Sequence, residues 1–318
     1  MTRSRLAPGV AVVTVPGRGT AVRTADGEFL RVTTGEVPER ILLEHLADAD
    51  APGTHAVPGL EALLGAFAAA GHTVADRTGR TDRTDRADRE GEGATRPRPA
   101  HPDTVWLLGD DVLTRPLAGH LREAGAAPRT AVPEEVTALV RAGAAPGAAG
   151  SAGERPAAVV WCLDRPVPTG LWDDADRLPA LGVAWLRCHR EGWQAWVEPP
   201  AFDGGDVTSA HVRLRRLAAT PAHHELAAYW AGERVTGDDR PTGPTPAALV
   251  TALLAADLAA GATVGTGTDA THTVPAAPDR LPPRRRLRRV DLRDLTVTAH
   301  PVLPVPEVAP LPRPRGAA

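Results

Sequence analysis

The sequence predicts an α/β protein made of a small N-terminal module and a larger domain, and three observations carry that reading. After residue 103, short apolar runs alternate with amphipathic helical segments, the pattern of a mostly parallel sheet flanked by helices. Before residue 76, three short strand-like runs precede two helical segments. Between the two, the stretch TGRTDRTDRADREGEGATRPRP repeats Thr-Asp-Arg without apolar periodicity and has too little apolar surface to offset its ordering entropy. The expected organisation is therefore a module over 1–76, a disordered linker over 77–102, an α/β domain over 103–300 and a proline-rich extended tail over 301–318.

Within the module, GVAVVTV (9–15) and TAVRT (20–24) read as strands around the turn PGRG, and EFLRVTT (28–34) as a third. Asp26-Gly27 between two alternating runs is a hairpin signal. Val37, Ile41, Leu42, His45 and Leu46 then share one helical face, with Pro38 suited to its first turn. A second helix over 57–70 carries Leu60, Leu63, Leu64 and Phe67 on one face, Gly71 suits its end, and His72–Val74 reads as a short closing strand. Three short strands followed by helices describe a winged-helix-like module.

In the second part, 104–109, 126–132, 157–163, 183–188 and 193–199 read as strands, and 113–125, 133–143, 171–182 and 245–261 as helices. The last has Thr245 as N-cap, Pro246 as first helical residue and Val250, Leu253, Leu254 and Leu258 as a buried stripe. RRVDL (288–292) and TVTAH (296–300) close as a hairpin.

Composition narrows the function. The net charge is −3, without the basic field that nonspecific nucleic-acid binding needs. The run Arg284 to Arg289 beside Asp291 and Asp294 reads as a solvated face. Cys162 and Cys188 lie in apolar runs and read as small buried hydrophobes, and two cysteines make neither a disulfide framework nor a four-thiolate zinc site. With no signal peptide and no continuous 18-residue apolar run, the expected place is the cytoplasm, away from membranes.

Catalytic signatures are missing. A nucleotide fold places glycines after its first strand, where backbone amides approach phosphate; here the turn is Gly109-Asp110-Asp111, with two carboxylates where an anion would bind. His223 and His224 are adjacent on a helix and point to different faces, and His300 suits a turn. Asp173, Asp174 and Asp176 lack His or Cys partners at metal spacing and read as a solvated helix face. Ser151 and Ser209 have no evident base, and no nucleophile elbow, P-loop or HExxH motif occurs. Trp161, Trp185, Trp193 and Trp196 read as core. No catalytic, cofactor-binding or metal-binding residue is assigned, and no cofactor is expected.

Two segments carry a resemblance. The order of elements over 9–74, ending in LEALLGAFAAAGHTV, resembles the leader-peptide recognition element of ribosomal-peptide modification systems. RRVDLRDLTVTAHPVLPVPEVAP, with its HPVLPxP ending, and VEPPAFDGGDVTSAHVRLRRLAATPA are similar to the ThiF-like proteins fused to such elements in azole-peptide clusters. Zinc-bearing members of that family carry one Cys pair before a stretch like LRR and another after HPVLPxP. The corresponding positions here, Thr208–Val212 and Val308–Leu311, hold no cysteine. The resemblance implies a degenerate ThiF-like scaffold, hence an accessory subunit rather than an enzyme. It would bind a precursor's leader and present it to a YcaO-type ATP-dependent cyclodehydratase, with a homodimer through the ThiF-like part as a further partner the resemblance allows.

In that reading an extended peptide adds to a sheet edge. The carried-over edge is Glu28, Phe29, Leu30, Arg31, Val32 and Thr33, running to Thr34, and the facing groove is lined near Leu60, Leu63, Leu64 and Phe67. The same apolar residues are also what a small module needs for its core. Two rivals are an adenylating enzyme of the ThiF class, which needs nucleotide at 109–114, and a winged-helix DNA-binding regulator. The second helix, VPGLEALLGAFAAAG, contains no Arg or Lys, which speaks against groove insertion.

Overall fold

The computed structural model describes residues 4–47, 57–75, 104–143, 155–232, 234–237, 241–265 and 281–306. The expected linker, and the tail beyond residue 306, lie outside the described residues.

The N-terminal part holds β1 (Ser4–Leu6), β2 (Ala11–Val15), β3 (Gly19–Arg23), β4 (Phe29–Val32), α1 (Glu39–Ala47), α2 (Leu60–Ala69) and β5 (Thr73–Ala75). β2, β3 and β4 form the expected antiparallel meander. The hairpin signal is realised by Gly27 at φ +89°, with the Thr24 amide bonded to the Glu28 carbonyl at 2.8 Å. β5 pairs with β1, a strand too short to announce itself by periodicity.

This sheet is buried on both faces. Val10, Val12 and Val22 meet Leu42, Leu46, Leu60 and Phe67 of α1 and α2. Ala11, Val13, Val15 and Ala21 meet α6 (His223–Ala231) through Leu226, Tyr229 and Trp230. β11 (Arg234–Thr236) then pairs with β2, so the strand order is β11-β2-β3-β4. The second half of the chain thus supplies one strand and one covering helix to the N-terminal sheet, which the expected division at the linker does not include.

The larger sheet has seven strands in the order β13-β12-β10-β9-β8-β6-β7. β6 (Thr104–Gly109), β7 (Ala127–Thr130), β8 (Ala158–Leu163) and β9 (Ala184–Glu191) pair in parallel. β10 (Gln194–Val197), β12 (Arg286–Asp291) and β13 (Val297–Pro301) add an antiparallel meander, so the sheet is mixed, with β10 and β13 running against the other five strands. Val105 and Leu107 of β6 pack under α3 (Asp111–Glu123) and α7 (Pro244–Gly265); Trp106 and Leu108 pack toward α4 (Pro133–Gly143) on the other face. α7 is apolar enough over residues 244–261 to cross a membrane by length and composition, yet of the predicted stripe Val250, Leu254 and Leu258 are core and Leu253 is half-buried against it; the helix starts at Pro244, ahead of the expected Thr245 cap. Trp161 and Trp172 meet Trp185 edge to face, with ring centroids 6.3 and 5.9 Å away, and Cys162 and Cys188 are buried free thiols.

Several expectations are corrected by buried charge. Arg288, in the run read as solvated, is buried and pairs with Asp257 of α7, while Arg284 pairs with Asp203 and Asp206. Asp176 accepts bonds from the Trp185 indole and from the amides of Ser209 and Ala210, so it anchors the start of α5 (Ser209–Ala218). The helix expected over 171–182 is a 3-10 turn at Ala175–Leu181 with Pro179 inside it; proline has no amide to continue an α-helical ladder.

Candidate functional site

β4 is an edge. It pairs with β3 on one side and has no strand on its other side among the described residues. Antiparallel pairs alternate between residues that exchange both main-chain bonds and residues that exchange none. Because the Thr24 amide bonds to the Glu28 carbonyl, Glu28, Leu30 and Val32 turn their main-chain groups toward β3. Phe29 and Arg31, and Thr33 by continuation, therefore turn theirs outward. These are the groups an added strand needs.

The side chains divide by the same parity. Phe29 and Arg31 face α6: Phe29 meets Tyr229 at 6.2 Å between ring centroids, and Arg31 lies 3.9 Å from Glu225. Leu30 and Val32 face α1 and α2; Val32 joins the apolar cluster there, and Leu30 is 47% exposed. Of the helix residues expected to line a groove, Leu63 and Leu64 are half-buried against that cluster, while Leu60 and Phe67 are core. A helix of ten residues must bury most of its stripe to hold the sheet, which leaves Leu60 and Phe67 little surface for a ligand.

The start of β4 is rigidly held. Gln194 donates to the Ala25 carbonyl at 3.0 Å, Arg289 to the Asp26 carbonyl at 2.7 Å, and Arg293 to the Asp26 carboxylate at 2.7 Å. Beneath the hairpin lies Glu191 of β9, 1% exposed. Its carboxylate accepts both guanidinium N–H groups of Arg216 at 2.9 and 2.7 Å and the Trp230 indole at 2.7 Å, and lies 3.2 Å from His189 Nε2. Arg23 of β3 donates to the Glu191 carbonyl at 3.0 Å. Burial pushes the Glu191 carboxyl up, but Arg216 and His189 outweigh it and hold it well below the usual carboxylate range. One residue thus joins both sheets, α5 and α6. Nothing in the local sequence EGWQAW marks it, since its partners lie far along the chain.

The turn where a nucleotide fold would take phosphate is filled by the chain itself. β8 and β7 lie on opposite sides of β6, so the strand order reverses beside β6, where open α/β sheets take ligands. At that point the Asp110 carboxylate accepts the Asp164 amide at 2.7 Å and Arg165 at 3.2 Å. Gly109 has φ +109°, and a Cβ there would stand 1.8 Å from the Cys162 carbonyl oxygen. The Asp164 carboxylate is in turn taken by Arg190 and Thr242.

The fold is thus an α/β assembly of a seven-stranded and a four-stranded sheet beside the short β1–β5 pair, with an open strand edge at β4 of the four-stranded sheet. No protein-family model matches the chain, and no curated protein matches it significantly. Among solved structures it is similar to a heterocyclase in complex with substrate and cofactor, at 14% identity and a TM-score of 0.40, over 96% of this chain and 39% of that one. The heterocyclase TruD gives 13% identity and 0.40, over 96% and 42%. A chain of the E. coli microcin synthetase McbBCD complex gives 10% and 0.39, over 94% and 99%. The chain spans about two fifths of the length of the two heterocyclases. At these scores the likeness assigns no role to any residue here.

Proposed function

We propose that this chain is a non-catalytic adaptor. It binds the leader of a ribosomally made precursor peptide as an extra strand on β4 and presents the rest to a separate YcaO-type, ATP-dependent cyclodehydratase that closes thiazoline or oxazoline rings. The N-terminal part is read as the winged-helix-like recognition element. The observation that carries the proposal is the open edge at Phe29, Arg31 and Thr33, fixed in place by the docked hairpin tip. The segments resembling leader-binding ThiF-like proteins support it, and so does the turn after β6, where the Asp110 carboxylate is taken by the Asp164 amide. Main-chain hydrogen bonds would give affinity and alternate side chains the register. The adaptor's share of rate would come from raising the peptide's effective concentration at the partner enzyme.

The test is fluorescence anisotropy of a labelled precursor peptide against the whole chain, since β11 and α6 complete the sheet that contains β4. Saturable binding that requires the leader is the expected result. Absence of binding, together with heat on titrating ATP, would replace the adaptor with an adenylating enzyme.

A further inference from the structure

β4 does not begin in open solvent. Glu28 and Phe29 form part of the wall of an open cavity of about 680 Å3, lined also by the α5–α6 connection and by β10, β12 and β13. That volume is within the range, roughly 300–1,000 Å3, of sites that hold small ligands. Its charges are unevenly committed. Arg23 and Arg216 are tied to Glu191, and Asp26 to Arg293. Arg215 donates only to the carbonyls of Leu303 and Pro304, at 3.2 and 3.1 Å, and Arg289 only to the Asp26 carbonyl. Neither donates to a carboxylate among the described residues. Arg289 also lies near enough to Asp291 to help hold that carboxyl down, and Glu28 is a further carboxylate in the lining. Trp196, with the Arg216 guanidinium 3.8 Å over its ring, adds an apolar surface.

We propose that this cavity is a second peptide subsite, which takes an acidic segment immediately following the strand bound on β4. The inference rests on the leader-binding reading and extends it. The smaller sheet is antiparallel throughout, and antiparallel addition is the commoner pairing. A peptide running against β4 enters beside Val32 and leaves beside Phe29, which lines the cavity. Its next residues meet Arg215 and Arg289, whose remaining N–H groups match carboxylates. The site would therefore sense the charge of the residues after the leader strand, not only the strand itself.

Three synthetic precursor peptides test this: the leader alone, the leader followed by four Asp or Glu residues, and the leader followed by the corresponding amides. On the unaltered chain the acidic flank is expected to tighten binding about tenfold over the amide flank, as two partly exposed ion pairs would. The substitution Arg215→Gln, at a residue that bonds only the Leu303 and Pro304 carbonyls, reduces that advantage and leaves the leader-only affinity as it was. Equal affinity for acidic and amide flanks on the unaltered chain overturns the subsite while leaving leader binding intact, and needs no variant to fold. Retention of the full acidic preference by Arg215→Gln overturns it too. If the leader-only peptide does not bind, the adaptor reading fails and the subsite with it.

Discussion

Two neighbouring proline substitutions separate the inner and outer sides of β4. Leu30 is paired with Val22, a position where both main-chain bonds are exchanged, and Val22 is 1% exposed. Leu30→Pro removes an amide from the ladder and leaves a buried carbonyl of β3 without a donor, at a cost of about 1–3 kcal/mol. The Arg31 amide points away from β3. Arg31→Pro breaks no ladder bond and loses only an ion pair with Glu225 at 3.9 Å, on a side chain 66% exposed, worth less than about 1 kcal/mol. Edge strands accept proline where its missing amide faces out. For a bound strand the ranking inverts: Arg31→Pro deletes a main-chain bond worth about 0.5–1.5 kcal/mol, raising Kd about two- to twelvefold. Thermal unfolding and anisotropy titration of a labelled leader, run on both variants, read the two effects. Arg31→Pro should unfold close to wild type and bind weakly. Wild-type affinity in Arg31→Pro would show that the peptide does not lie on this edge, and equal destabilisation by both prolines would show that the assigned parity is wrong.

Other consequences follow from buried charge and backbone strain. Glu191→Gln leaves Arg216 without its carboxylate in a half-buried setting and should cost about 3–5 kcal/mol in urea unfolding at neutral pH. Because the folded carboxyl is held below its unfolded value, that stabilisation is complete above about pH 4.5 and is lost as pH falls through the folded value. The stability gap between wild type and Glu191→Gln should therefore stay constant from neutral pH to about 4.5 and narrow below it. Gly109→Ala places a methyl against the Cys162 carbonyl at a positive φ and should lower Tm by at least about 6 °C, read by circular dichroism; an unchanged Tm would contradict the described turn.

What was legible in the sequence is what local chemistry determines. The Asp26-Gly27 hairpin, the α7 helix with its apolar stripe of Val250, Leu253, Leu254 and Leu258, and the 288–300 hairpin each announce themselves within a few residues, although α7 starts at Pro244 rather than after a Thr245 cap. β1 and β11 have three residues each, too few for a period, and their partners lie far off in sequence. The α5 helix does carry a local signal, Thr208 as an N-cap before Val212, with His211 completing a capping box. Arg288 and Glu191 were hidden because burial of a charge depends on a partner that pattern alone does not pair with it. Alternation marks 28–34 as a strand, and only the resemblance implies that it is the edge. The distinction between its core helix residues, Leu60 and Phe67, and its half-buried ones, Leu63 and Leu64, needed the packing.

The strand that closes the small sheet also sets a schedule for biosynthesis. β5 ends at Ala75, but β11 begins at Arg234, and the ribosome must add every residue between before β2 can gain its outer neighbour. At about 5–20 residues per second, that interval is on the order of 10–30 s. Throughout it the nascent chain displays an unpaired β2 rich in valine, together with the face that α6 later covers. Such an edge invites pairing with another chain. Soluble yield should therefore depend more on translation rate and chaperone supply than the finished molecule's stability would suggest, and truncations ending before residue 234 should aggregate even when they retain every residue of β4.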